Sequence, residues 1–115
     1  MLPAQFRLKN KKNFNEIFRQ GKVVSNEILV MKYKKAENGE LKIGFSASLK
    51  LSKKLSKRNK VKRWMREAAR PLLGKIKTGY QIIFVINSKF PYEQINYVLI
   101  REKTEDLLMR AKLIK

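Results

Sequence analysis

The feature that most constrains this chain is the stretch Tyr80-Gln81-Ile82-Ile83-Phe84-Val85-Ile86, in which Gln81 is the one clearly polar residue. A strand with one wet face alternates polar and apolar side chains, so a nearly continuous run rich in Ile and Val fits a strand covered on both faces. It follows a basic helix that itself follows a strand, which is the order of a strand-helix-strand unit. A length of 115 residues fits one domain and leaves no room for two independent cores.

The other elements group around that strand. Asn10 is placed to cap a helix from about Lys11 to Gln20, with Phe14, Ile17 and Phe18 at helical spacing and Gly21 just past its end. From Val23 to Lys34 the pattern is extended, Ile28, Val30, Lys32 and Lys34 alternating with Leu29, Met31 and Tyr33. Asn38-Gly39 is a tight-turn signal, and Leu41, Ile43 and Phe45 alternate with Lys42, Gly44 and Ser46 beyond it, which predicts a hairpin with one buried face. Asn96 is placed to cap a last helix from about Tyr97 to Ala111, although Pro91 would also serve to open it earlier. The expected architecture is α+β, a small sheet of three or four strands with helices packed against it. Residues 1–115 read as one domain, loosely ordered over residues 1–8.

Composition then limits the chemistry. Lys and Arg number 28 against 9 Asp and Glu, a net charge of +19, and a surplus of that size opposes a compact state unless a polyanion neutralises it. Nucleic acid is the expected polyanion. The longest uninterrupted apolar run, Ile82 to Ile86, is far too short to span a bilayer, and no secretory leader pattern opens the chain, so no membrane partner and a cytoplasmic location are expected. Without Cys or His there is no thiol nucleophile, no His-based triad and no zinc cluster of the usual ligands. Glu102, Glu105 and Asp106 are spaced to temper charge on a solvated helix face, so neither a catalytic side chain nor a metal site is expected on the protein.

The charge is concentrated. Ten Lys and Arg fall in the twenty-one residues from Lys50 to Arg70. On a helix, Val61, Trp64, Met65, Ala68 and Leu72 fall in one arc, with Arg58, Asn59, Lys60, Lys62, Arg63, Arg66 and Arg70 assigned to the opposite side. A solvated face that merely keeps a protein soluble rarely carries such density, because like charges at i, i+3 and i+4 each cost a few tenths of a kcal/mol. A phosphate backbone turns that cost into binding, and Arg forks suit it well.

Phe14 and Phe18 share a helix face and are either core residues or a stacking platform for single-stranded RNA beside the charges of Lys32 and Lys34. Trp64 and Met65 read as the apolar anchor of the basic helix. Gly44 inside a strand marks a bulge or a close backbone approach, and Ser46, Ala47 and Ser48 end that strand with small groups able to line a cleft.

Arg58 to Arg70, RNKVKRWMREAAR, resembles the signature helix of the bacterial ribonuclease P protein subunit, with its RNR motif, hydrophobic residue and Lys-Arg pair. Asn13-Phe14, Ile17-Phe18 and Gly21 resemble the family's opening helix, and Phe45-Ser46-Ala47-Ser48 the strand before its lysine-rich loop. Two positions depart. Lys60 stands third in the RNR motif, which keeps the charge and loses the fork, and the loop from Leu49 to Lys57 has about one extra residue and carries Ser52 where glycine is common.

The resemblance implies a four-stranded sheet with three helices, like the second domain of a small-subunit ribosomal protein, with a left-handed strand-helix-strand crossover. It also implies an accessory subunit of an endoribonuclease that removes the 5′ leader of precursor tRNA. In that reading the catalyst is the ribonuclease P RNA with its own bound Mg²⁺, and no DNA partner is expected. Arg58, Asn59, Lys60, Lys62, Arg63 and Arg66 would contact the RNA subunit. Phe14 and Phe18 would hold the leader, with Lys32, Lys34, Ser46 and Ser48 as further candidates. A ribosomal RNA-binding protein and a non-specific DNA compactor are the rival readings of the same charge.

Overall fold

The computed structural model describes residues 6–8, 11–36, 39–47, 52–87 and 89–114. In chain order the elements are α1 (Lys11–Gln20), β1 (Lys22–Ser25), β2 (Leu29–Lys35), β3 (Lys42–Ser46), α2 (Leu55–Ala69), β4 (Tyr80–Ile86) and α3 (Tyr97–Arg110). A 3-10 turn carrying Pro71 prolongs α2 through Leu72, and another, Tyr92–Gln94, follows Pro91 and precedes α3. The four strands form one sheet in the order β1-β2-β4-β3, antiparallel except for the parallel pair β3 and β4.

β4 is therefore interior, and its composition follows from that position. Ile82, Phe84 and Ile86 point to one face, where they meet Leu29, Met31 and Ile43 from the neighbouring strands and Val61, Met65, Ala68, Ile100, Leu107 and Leu108 from α2 and α3. Ile83 points to the other face and is buried with Ile17 of α1 and Leu8. Both faces are covered, by two helices on one side and by α1 on the other.

The predicted hairpin does not form. β2 and β3 are not neighbours, because β4 lies between them and pairs with both: Met31 faces Phe84 on one side, and Phe45 faces Phe84 on the other. Gly39 does take a left-handed conformation, φ 73°, as a turn there requires, while Asn38 lies outside the described residues. A turn signal reports that the chain reverses. It does not report which strand fills the adjacent place, and burying the most apolar strand on both faces outweighs pairing the two nearest in sequence.

The extended stretch from Val23 to Lys34 is likewise two strands. The Asn26 side chain accepts the backbone N–H groups of Ile28 (3.1 Å) and Leu29 (2.9 Å), a local turn that folds β1 back on β2. Its amide also donates to the Lys103 carbonyl and to Asp106, so the turn is docked on α3. At the start of α3, Asn96 caps as expected, accepting the Leu99 N–H at 2.9 Å. The predicted cap of α1, Asn10, lies outside the described residues. Of residues 1–8, expected to be loose, 1–5 also lie outside them, whereas Leu8 is buried and donates its N–H to the Ile43 carbonyl at 3.0 Å.

Candidate nucleic-acid interface

Two surfaces on opposite sides of the sheet carry the residues singled out from sequence. The first is the outer side of α2. Val61, Met65, Ala68 and Ala69 are buried and fix the helix rotation, which leaves Asn59, Lys60 and Arg63 exposed and Lys62 and Arg66 half-buried. Ser56, Asn59, Lys60, Arg63, Arg66 and Glu67 line a shallow concavity on this side. No α2 side chain is ion-paired to a described residue, so the guanidinium groups of Arg63 and Arg66 are available to phosphate.

Arg58 departs from its predicted place. It lies three residues before Val61, about 60° from the buried arc rather than opposite it. Its side chain is half-buried and its Nη1 donates to the Ser52 carbonyl at 2.9 Å. It thus ties the preceding loop to the helix. Trp64 packs partly against the core, as an anchor, and Lys60 Nζ sits 5.1 Å from its ring centroid; Lys57 sits likewise 4.8 Å from the Tyr92 ring. Tyr92 had no signal in sequence, because its neighbour Lys57 is distant in the chain.

The second surface lies where α1 crosses the sheet. The register places Lys32, Ile83 and Gly44 side by side in one row, and Val30, Val85 and Ser46 in the next row of the same face. Gly44 is the close approach expected of it: a Cβ there would lie 2.4 Å from Phe14 Cζ, so the missing side chain is what lets the Phe14 ring rest on the strand. Phe14 and Phe18 consequently differ. Phe14 is half-buried beside Leu8, Ile17 and Ile83, while Phe18 is 40% exposed, with Lys32 Nζ 4.7 Å from its ring centroid. Lys34 pairs with Glu16 at 3.7 Å. Ser46 is half-buried beside Val85, and Ser48 lies outside the described residues.

Val30 and Val85, half-buried in the row beside Ser46, were missed in sequence. Only the neighbour relation of β2, β4 and β3 brings them together. A ring with a cation over it, beside a strip of apolar and small residues, suits a base and its phosphate.

Comparison with known proteins bears on which nucleic acid this is. The family model described as Ribonuclease P matches residues 2–112. The chain is 33% identical over 108 residues to the ribonuclease P protein component of Thermotoga petrophila, covering 92% of each chain. To that of Symbiobacterium thermophilum it is 32% identical over 114 residues, covering 96% of this chain and 94% of the relative. Among solved structures, the RNase P protein of Staphylococcus aureus superposes with a TM-score of 0.84 at 26% identity, covering 96% of this chain and 98% of that one. The RNase P protein of Thermotoga maritima gives 0.79 at 33% identity, covering 90% and 96%.

Proposed function

Since the chain belongs to the ribonuclease P protein family and is a component of a tRNA-processing ribonuclease that works with an RNA subunit, we propose that it bridges two RNAs across its sheet. The carrying observation is the placement of its two cationic surfaces on opposite faces. The outer side of α2, with Asn59, Lys60, Lys62, Arg63 and Arg66, takes the ribonuclease P RNA. Arg58 supports it by holding the loop at Ser52. The face with Phe14, Phe18, Lys32, Lys34 and Ser46 takes the single-stranded 5′ leader of precursor tRNA, in which unstacked bases can meet an aromatic ring; Ser48 belongs with this group by sequence.

In this reading the RNA subunit performs the hydrolysis and holds the Mg²⁺ that serves it. Among the described residues no three or more His, Cys, Asp or Glu side chains are grouped so as to hold a metal ion. What the protein contributes is fixed positive charge where two polyanions approach, and a grip on the leader that mature tRNA does not offer. No described helix is long and apolar enough to cross a membrane, and the site of action we infer is the cytoplasm.

The test is multiple-turnover cleavage of a precursor tRNA by a bacterial ribonuclease P RNA at low Mg²⁺, with and without this protein. Cleavage at the mature 5′ end that requires both supports the reading. No stimulation by folded protein refutes it in favour of a ribosomal or general RNA-binding role. Replacing Arg63 and Arg66 together with Gln is expected to weaken RNA-subunit binding and to flatten its salt dependence by about two units of log–log slope at most.

A further inference from the structure

One end of the sheet carries a third aromatic and basic cleft, which meets the α1 surface at Lys34. Tyr33 and Tyr80 are half-buried, with ring centroids 6.3 Å apart at 61°. By register they project to the α2–α3 face, opposite to Lys32 and Ile83. The cleft beside them is lined by Lys22, Lys34, Lys35 and the C-terminal turn at Ala111 and Leu113. Among the described residues no carboxylate lines it.

The walls are built and held. Lys22 lies opposite Tyr33 and Lys35 opposite Tyr80 in the strand register, so each ring has an ammonium-bearing residue as its cross-strand neighbour. Gly79 accepts the Ala36 N–H at 2.7 Å, which fixes the chain entering β4 beside Lys35. Leu113 accepts the Lys77 N–H at 2.7 Å and Ile114 bridges to Ile76, which anchors the far wall.

Both rings pack partly against the core and turn their remaining exposed surface to the cleft, and the lysines stand where the phosphates flanking a base would lie. Lys22 and Lys35 are exposed, so their charge is not used in packing. We propose that this cleft binds one nucleotide of single-stranded RNA, base against the tyrosines and phosphates toward Lys22 and Lys35. It is a site separate from Phe14 and Phe18. Lys34, which lines the cleft and pairs with Glu16 of α1, marks the edge over which one strand would pass between the two.

The experiment uses the full chain and a single-stranded RNA of about ten nucleotides carrying 5-iodouridine, with photocrosslinks mapped by mass spectrometry and affinity followed by fluorescence anisotropy. Crosslinks at Tyr33 or Tyr80 are expected. The double substitution K22Q/K35Q, at exposed positions that leave folding intact, should lower affinity severalfold and reduce the salt slope by about 1.4, since each phosphate contact on a single strand contributes about 0.7. Phe18→Ala should lower affinity yet leave those crosslinks in place. Unchanged affinity and salt slope in K22Q/K35Q overturn the proposal, and a Phe18→Ala defect beside them leaves the leader surface standing. Equal crosslinking of duplex RNA also overturns it.

Discussion

The two faces of the central strand differ in what they are built for. On one, Ile82, Phe84 and Ile86 are sealed beneath α2 and α3, and the Phe84 ring stacks on Phe45 at 5.9 Å and 15°. On the other, Leu8, Ile17 and Ile83 form a small buried cluster among the described residues, and the surrounding Phe14, Val30, Val85 and Phe18 stay partly exposed. The same strand thus supplies most of the stability on one side and, in the proposed reading, the floor of the leader surface on the other. Small size limits how much core a chain can build, and here the larger cluster lies on one face and a small one beneath α1 on the other.

The sharpest test of that division is Phe84→Ala. It should cost about 3–5 kcal/mol of stability, a large part of what a domain of this size possesses, visible as a fall in the urea midpoint and a loss of all RNA binding together. Gly44→Ala probes the seam between the faces. The added methyl would displace the Phe14 ring, costing about 1–3 kcal/mol as overpacking does, and leader affinity should fall more than RNA-subunit affinity. A ring that simply slides aside with no change in leader binding would remove Phe14 from the ligand surface.

Phe18→Ala should do the reverse of Phe84→Ala. Its unfolding midpoint should move little, while binding of leader-bearing precursor weakens by about 1–3 kcal/mol per lost stacked base and binding of mature tRNA is unchanged. A fall in stability with equal loss on both RNAs would return Phe18 to the core.

The smallest effect is expected at an exposed pair on the stable side. Lys103 hydrogen-bonds Glu27 and holds its carboxyl below the ordinary value of 4.5, and Glu27 in turn raises the Lys103 ammonium above 10.5. The Glu27 contribution is present above pH 4.5 and is lost as pH falls through its lowered folded value. That of Lys103 is present below pH 10.5 and is lost as pH rises through its raised one. A Glu27→Gln variant should therefore show a slightly flatter acid limb in thermal melts and unchanged RNA binding at neutral pH.

How much of this was legible in sequence depends on range. α1, β4 and the Asn96 cap could be read from spacing and capping chemistry, which act within a few residues. The rotation of α2 could be read for Val61 and Met65 but was misjudged for Arg58, whose long side chain reaches back along the chain to Ser52. The break at Asn26 had a local signal that the alternation on either side concealed. The separation of β2 from β3 had none, since the strand that parts them lies some forty residues later. The ligand face inherits that gap: Phe18 was legible as a residue, whereas the row of Val30, Val85 and Ser46 required the strand order.

That strand order also fixes when the protein becomes competent. β1 and β2 close locally, but β2 and β3 have no partner in each other and wait for β4, across a loop whose closure costs entropy before any contact repays it. During synthesis the first half of the chain would leave the ribosome with strand edges open and Ile17 without Ile83 beneath it. The seat of Phe14 and Phe18 is assembled only when residues 80–86 arrive. A chain this basic, made among abundant RNA, therefore does not complete the proposed leader surface until its core is closed.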